Sequence, residues 1–147
     1  RVHSLEELFA QCDVVSLHLP LSSATEKLIN ARVLSHSKPG LILVNTARGP
    51  IIDLDDLYEA LRADHVQAVG LDVLSEEPAN PDHPLIKAWA ADEEWIDHRL
   101  LITPHSAFFT PESVHDMRFK GGEVIVKYLD TGALDNCVNQ DWLINPR

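Results

Sequence analysis

The segment Leu41-Ile42-Leu43-Val44-Asn45-Thr46-Ala47-Arg48-Gly49 constrains this chain more than any other: a short apolar run breaks off at a polar turn that carries one guanidinium. Pro39-Gly40 precedes it and Gly49-Pro50 follows it. Such a run is too short for a helix and too apolar for a loop, so it predicts a buried parallel strand. Asp53 then stands where a helix N-cap belongs, ahead of Leu54, Leu57, Tyr58 and Leu61 at helical spacing. Strand, loop and helix follow one another. In open α/β sheets, the loops beyond the carboxyl ends of the strands hold the ligand, which puts Thr46, Ala47 and Arg48 where chemistry is expected. A plain loop cation is the alternative for Arg48.

The same alternation runs through the chain. Ser4 caps a short helix that runs to Cys12, and Asp13 to Pro20 is a strand closed by a proline that lacks the ladder donor. A short helix from Asn30 to Ser37 leads into the central strand. The helix from Asp53 to about Ala63 precedes a third strand over Val66–Val73, in which Gly70 permits a close approach of backbone or ligand. An irregular stretch from Leu74 to His98 follows, with Pro78, Pro81 and Pro84 and a helical turn in the Lys87 to Trp95 part. Trp89 and Trp95 either pack over the site or cover an edge. Arg99 to Pro104 is a fourth strand, with His105 immediately past its end. Thr110-Pro111-Glu112 then opens a long helix to about Tyr128. Gly121-Gly122 inside it implies close packing or a kink.

Strands alternating with helices predict right-handed crossovers and a parallel, doubly wound α/β sheet of Rossmann type. About half of such a sheet is present. At 147 residues and 45% hydrophobic content the chain can bury a core. Its net charge of −11 argues against nucleic acid or an anionic membrane as a direct partner. Cys12 and Cys137 match no metal or redox spacing, no metal site is expected, and with no apolar run of membrane-spanning length the expected compartment is cytoplasmic.

Three strand ends present complementary groups: Arg48, then Asp72 and Glu77, then His105. A guanidinium grips a carboxylate through two parallel hydrogen bonds. An imidazole beside a carboxylate has its charged form favoured and can deliver a proton. His18, before Pro20, could line the same site.

At these residues the chain resembles the D-isomer-specific 2-hydroxyacid dehydrogenases. The matching pieces are Leu17-His18-Leu19-Pro20-Leu21 with Thr25, Asn45-Thr46-Ala47-Arg48-Gly49, Leu71-Asp72-Val73 with Glu76-Glu77-Pro78, and Thr103-Pro104-His105-Ser106-Ala107. The resemblance implies a hydride transfer between NAD or NADP and a small 2-hydroxy or 2-oxo acid. By similarity Arg48 would bind the substrate's carboxylate and keto oxygen, His105 would exchange the proton, and Glu77 would hold the imidazole. Asp72 would take the nicotinamide carboxamide, and Leu19, Pro20, Thr25, Thr46, Ala47, Arg48, His105 and Ala107 would line the cofactor. The family also implies a homodimer of the full-length protein. The closing Asn136-Cys137-Val138-Asn139, together with the missing lid of ordinary reductases, resembles the C-terminal-binding-protein branch, whose members act as dinucleotide-sensing corepressors or scaffolds.

No G-x-G-x-x-G occurs in the sequence, nor the acidic residue about 20 positions beyond it. The chain is therefore expected to be the C-terminal portion of a longer enzyme, with residues 1–112 a partial NAD(P)-binding domain and 113–147 returning toward a substrate domain. Alone it should be inactive and should expose apolar surface that favours self-association.

Overall fold

The computed structural model describes residues 1–140. Four parallel strands, β1 (Val14–Leu17), β2 (Leu41–Asn45), β3 (Val66–Leu71) and β4 (Leu100–Ile102), lie in the order β1-β2-β3-β4. The connecting helices are α2 (Ala31–Leu34), α3 (Leu54–Arg62) and α4 (Pro84–Ala90), with α1 (Leu5–Gln11) ahead of the sheet. Strands laid down in sequence order by right-handed crossovers must carry all their helices on one face. Accordingly Val15, Leu17, Leu41, Leu43, Val69, Leu71 and Leu100 are buried beneath Phe9, Val33, Leu57, Leu61 and Leu85. Val14 and Leu101 point the other way and are 56% and 65% exposed. The central strand therefore buries one face, with Leu41, Leu43 and Asn45 inward.

The helices start where their caps dictate. Ser4 accepts from the Glu7 N–H and Asp53 from the Asp55 and Asp56 N–H groups. Helix α4 lies earlier than the predicted turn, because the His83 side chain accepts from the Leu85 N–H and Pro84 occupies the first turn. Arg99 fastens the amino edge of the sheet. Its guanidinium donates to the carbonyls of Leu61, Val66, Gln67 and Trp95 and pairs with Asp64. Trp95 stacks edge-on to Tyr58 at 5.9 Å and lies under Arg62. It therefore covers the amino edge and does not roof the carboxyl-end loops.

The chain divides into two compact units, one spanning Arg1–Ala107 and the other beginning at Phe108. In the second, α5 (Pro111–Thr131) starts from a reciprocal Thr110–Ser113 capping box. It has no buried residue, and Phe119, Ile125, Val126 and Leu129 are exposed. A Cβ added at Gly121 or Gly122 would meet nothing within 4 Å, and the helix runs through both. The expected close packing is not there. No backbone among the described residues approaches Gly70 closely either: an added Cβ there would touch the Val44 side chain at 3.9 Å. Among the described residues, no helix is long and apolar enough to cross a membrane. Residues 141–147 of the predicted returning segment lie outside the described residues.

Candidate functional site

All the singled-out residues lie beyond the carboxyl ends of the four strands. After β1, the Thr25 hydroxyl donates to the Pro20 carbonyl at 2.7 Å and accepts from the Ser22 N–H at 2.8 Å, which folds the 20–25 loop back on itself. His18 Nε2 lies 2.8 Å from the Ser16 hydroxyl. A cleft of about 510 Å³ is lined by His18, Leu19, Pro20, Leu21, Ala47 and Arg48. Leu19, Pro20, Ala47 and Arg48 thus share one cavity wall, whereas Thr25 does not line it and acts on the shape of the loop.

After β2 the backbone turns sharply. Asn45, fully buried on the helix-covered face, accepts the Ala47 N–H at 3.0 Å and donates to the Arg48 carbonyl at 2.9 Å. Thr46 and Arg48 are exposed, and the guanidinium donates to the Ala47 carbonyl. Gly49 then passes the β3 loop so closely that an added Cβ would lie 1.9 Å from the Leu74 carbonyl carbon. Only glycine fits there without displacing backbone.

Asp72, past β3, is buried yet charged. Oδ1 accepts from the Thr103 hydroxyl and from the Ser106 N–H at 2.9 Å, and Oδ2 from the Ala107 N–H at 2.9 Å. Burial alone pushes this carboxyl up. The Thr103, Ala107 and Ser106 donors and the nearby His105 outweigh it, leaving Asp72 below the usual aspartate value. Main-chain bonds join the strand ends as well, from the Asp72 N–H to the Asn45 carbonyl and from the His105 N–H to the Asp72 carbonyl, both 2.9 Å.

His105 occupies the left-handed region at φ 52°, a strained conformation that the Asp72 clip holds in place. Its Nδ1 is 2.7 Å from Glu77 Oε2, and the other Glu77 oxygen accepts the Leu74 N–H at 3.0 Å. The imidazole hydrogen bond, then the Leu74 N–H, hold the Glu77 carboxyl below its ordinary range. Glu77, Asp72 and His105 are therefore one hydrogen-bonded group. Arg48 belongs to the neighbouring cleft, and the Asn45–Asp72 backbone bond joins the two.

Among the described residues, no group of three or more His, Cys, Asp or Glu side chains could hold a metal ion. Sequence reasoning gave Asn45, Gly49 and Thr103 no role of their own. An Asn at the inward parity of an apolar strand was the available signal for the first. Contacts across loops distant in sequence left no local signal for the other two.

Residues 1–107 match the family model described as D-isomer specific 2-hydroxyacid dehydrogenase, NAD binding domain. The chain is 36% identical over 139 residues to a D-3-phosphoglycerate dehydrogenase of Haemophilus influenzae, covering 95% of this chain and 33% of that protein. It is 37% identical over 138 residues to a glyoxylate reductase of Aeropyrum pernix, covering 94% and 38%. The crystal structure of a glyoxylate reductase from Paecilomyes thermophila superposes with a TM-score of 0.80 at 32% identity, covering 95% of this chain and 39% of that one. The chain thus spans little more than a third of the length of such relatives.

Proposed function

Since the chain belongs to the D-isomer specific 2-hydroxyacid dehydrogenase family and carries its NAD binding domain over residues 1–107, we propose that the whole protein reduces a small 2-oxo acid to the D-2-hydroxy acid, and the reverse. The observation that carries this reading is the Glu77–His105 pair, set at 2.7 Å on a loop clipped by Asp72 beside the cleft of Arg48.

A bound nicotinamide dinucleotide supplies or accepts the hydride. This chain's residues do the rest. Arg48 grips the substrate carboxylate and orients the keto oxygen. Glu77 fixes Nδ1 of His105, so that Nε2 exchanges the proton with the substrate oxygen. Asp72 suits a carboxamide: among the described residues its Oδ2 accepts the Ala107 N–H alone, which leaves a lone pair. Leu19, Pro20, Thr25, Thr46, Ala47, Arg48, His105 and Ala107 would line the rest of the nicotinamide end. No glycine-rich turn for a pyrophosphate occurs in these 147 residues.

A glyoxylate reductase among the relatives favours a short 2-oxo acid as substrate. A cytoplasmic setting accords with two free cysteines, Cys12 and Cys137. The acidic charge speaks against nucleic acid as a partner. The exposed apolar side chains of α5 suit a segment that returns to a second domain in a homodimeric protein. The test is NADH oxidation by the whole protein with glyoxylate, hydroxypyruvate and pyruvate. Turnover of at least one is expected; tight NADH binding without any turnover overturns the reading.

A further inference from the structure

We propose that Asn45 is a positioning residue for Arg48, its carboxamide building the turn that decides where the guanidinium stands. The inference rests on the dehydrogenase reading for what Arg48 does, and on geometry for how Arg48 is held.

Asn45 shares the inward parity of Leu41 and Leu43, and its register partners across the sheet are Leu17 and Leu71. An aliphatic side chain would pack in that row as its neighbours do. Asn45 is nevertheless fully buried, and a buried amide is costly unless both ends are satisfied. Both ends are spent within three residues: Oδ1 on the Ala47 N–H at 3.0 Å, and Nδ2 on the Arg48 carbonyl at 2.9 Å. The turn needs one acceptor and one donor at this point. Asparagine supplies both, aspartate and serine cannot supply both in this geometry, and leucine supplies neither. The main-chain carbonyl of Asn45 also accepts the Asp72 N–H, so the turn is referenced to the clip that holds the His105 loop. Buried on the core side, Asn45 itself cannot touch substrate.

The consequence is a selective defect. Asn45→Asp puts an oxygen against the Arg48 carbonyl and should shift the turn while leaving the Asp72 clip standing. In the whole protein, KM for glyoxylate and Kd for oxamate should rise about tenfold to a hundredfold, with a several-fold smaller rise in Kd for NADH, whose site the same turn also lines. In an Arg48→Ala background the same substitution should add almost nothing, since it acts through Arg48. Asn45→Ser, whose single short hydroxyl cannot serve both the Ala47 N–H and the Arg48 carbonyl, carries the same expectation if Asn45→Asp does not fold. Unchanged KM and oxamate affinity, an equal loss of NADH binding, or full additivity with Arg48→Ala overturns the proposal. Absence of wild-type turnover instead refutes the dehydrogenase reading, and oxamate binding still decides the role of Asn45.

Discussion

Glu77 and His105, 28 residues apart in sequence, meet through a 2.7 Å contact between Oε2 and Nδ1, and the Leu74 N–H holds the second Glu77 oxygen at 3.0 Å. The pair joins the loops beyond β3 and β4 through a carboxylate–imidazole contact. Its direction of titration is fixed by its partners. Glu77 is held below its ordinary 4.5, so the pair is intact above that value and is lost as pH falls through the lower, folded-state value. Carbon-13 titration of the Glu77 carboxyl should give a midpoint below 4.5, returning toward it in His105→Asn. A midpoint at or above 4.5 in the native protein would refute the contact.

Replacing Asp72 with Asn should loosen the His105 loop. Three donors, from Thr103, Ser106 and Ala107, converge on the carboxylate, and an amide nitrogen in place of one oxygen would face at least one of them. A cost of about 1–3 kcal/mol is expected. Denaturant melting of the two proteins checks it. Because Asp72 is held below 3.8, the stabilisation it gives is complete above that value and disappears on acidification through the folded value, so the difference between the two proteins should narrow at low pH.

Gly49→Ala should be far more disruptive than an ordinary loop substitution. The new methyl group would meet the Leu74 main chain at 1.9 Å, and the Leu74–Glu77 turn must move to admit it. A loss of about 2 kcal/mol or more is expected, the range of overpacking at a close-packed position. A melting temperature within a degree of wild type would contradict the close approach.

Gly121→Ala and Gly122→Ala should do the reverse. Each glycine lies inside α5 with open space around it, so alanine brings helix propensity without a clash. A gain of about 0.5–1 kcal/mol per site follows, read from thermal unfolding. A loss at either position would show that the whole protein packs something against that side of α5.

Much of this was legible in the residues themselves. Ser4, Asp53 and Thr110 mark helix starts by chemistry, and Pro20, Pro39-Gly40 and Gly49-Pro50 bracket strands by what they forbid. Arg48, Asp72, Glu77 and His105 could be named because each stands just past an apolar run. Tertiary placement was not legible. That all crossover helices lie on one face follows from strand order, which an alternation of elements does not specify. The apolar run of β2 reads the same whether one face is covered or two. Likewise, the left-handed backbone of His105 and the contact of Gly49 with Leu74 depend on segments about 25 to 35 residues apart, beyond the reach of local pattern.

In the proposed reaction the imidazole of His105 moves the proton in a hydride transfer whose substrate Arg48 holds. Steady-state NADH oxidation by the whole protein carrying His105→Ala, with NADH affinity measured alongside, tests it most directly. A fall in kcat of about a hundredfold to ten-thousandfold is expected, with NADH binding nearly unchanged. Turnover equal to that of the native protein would contradict it.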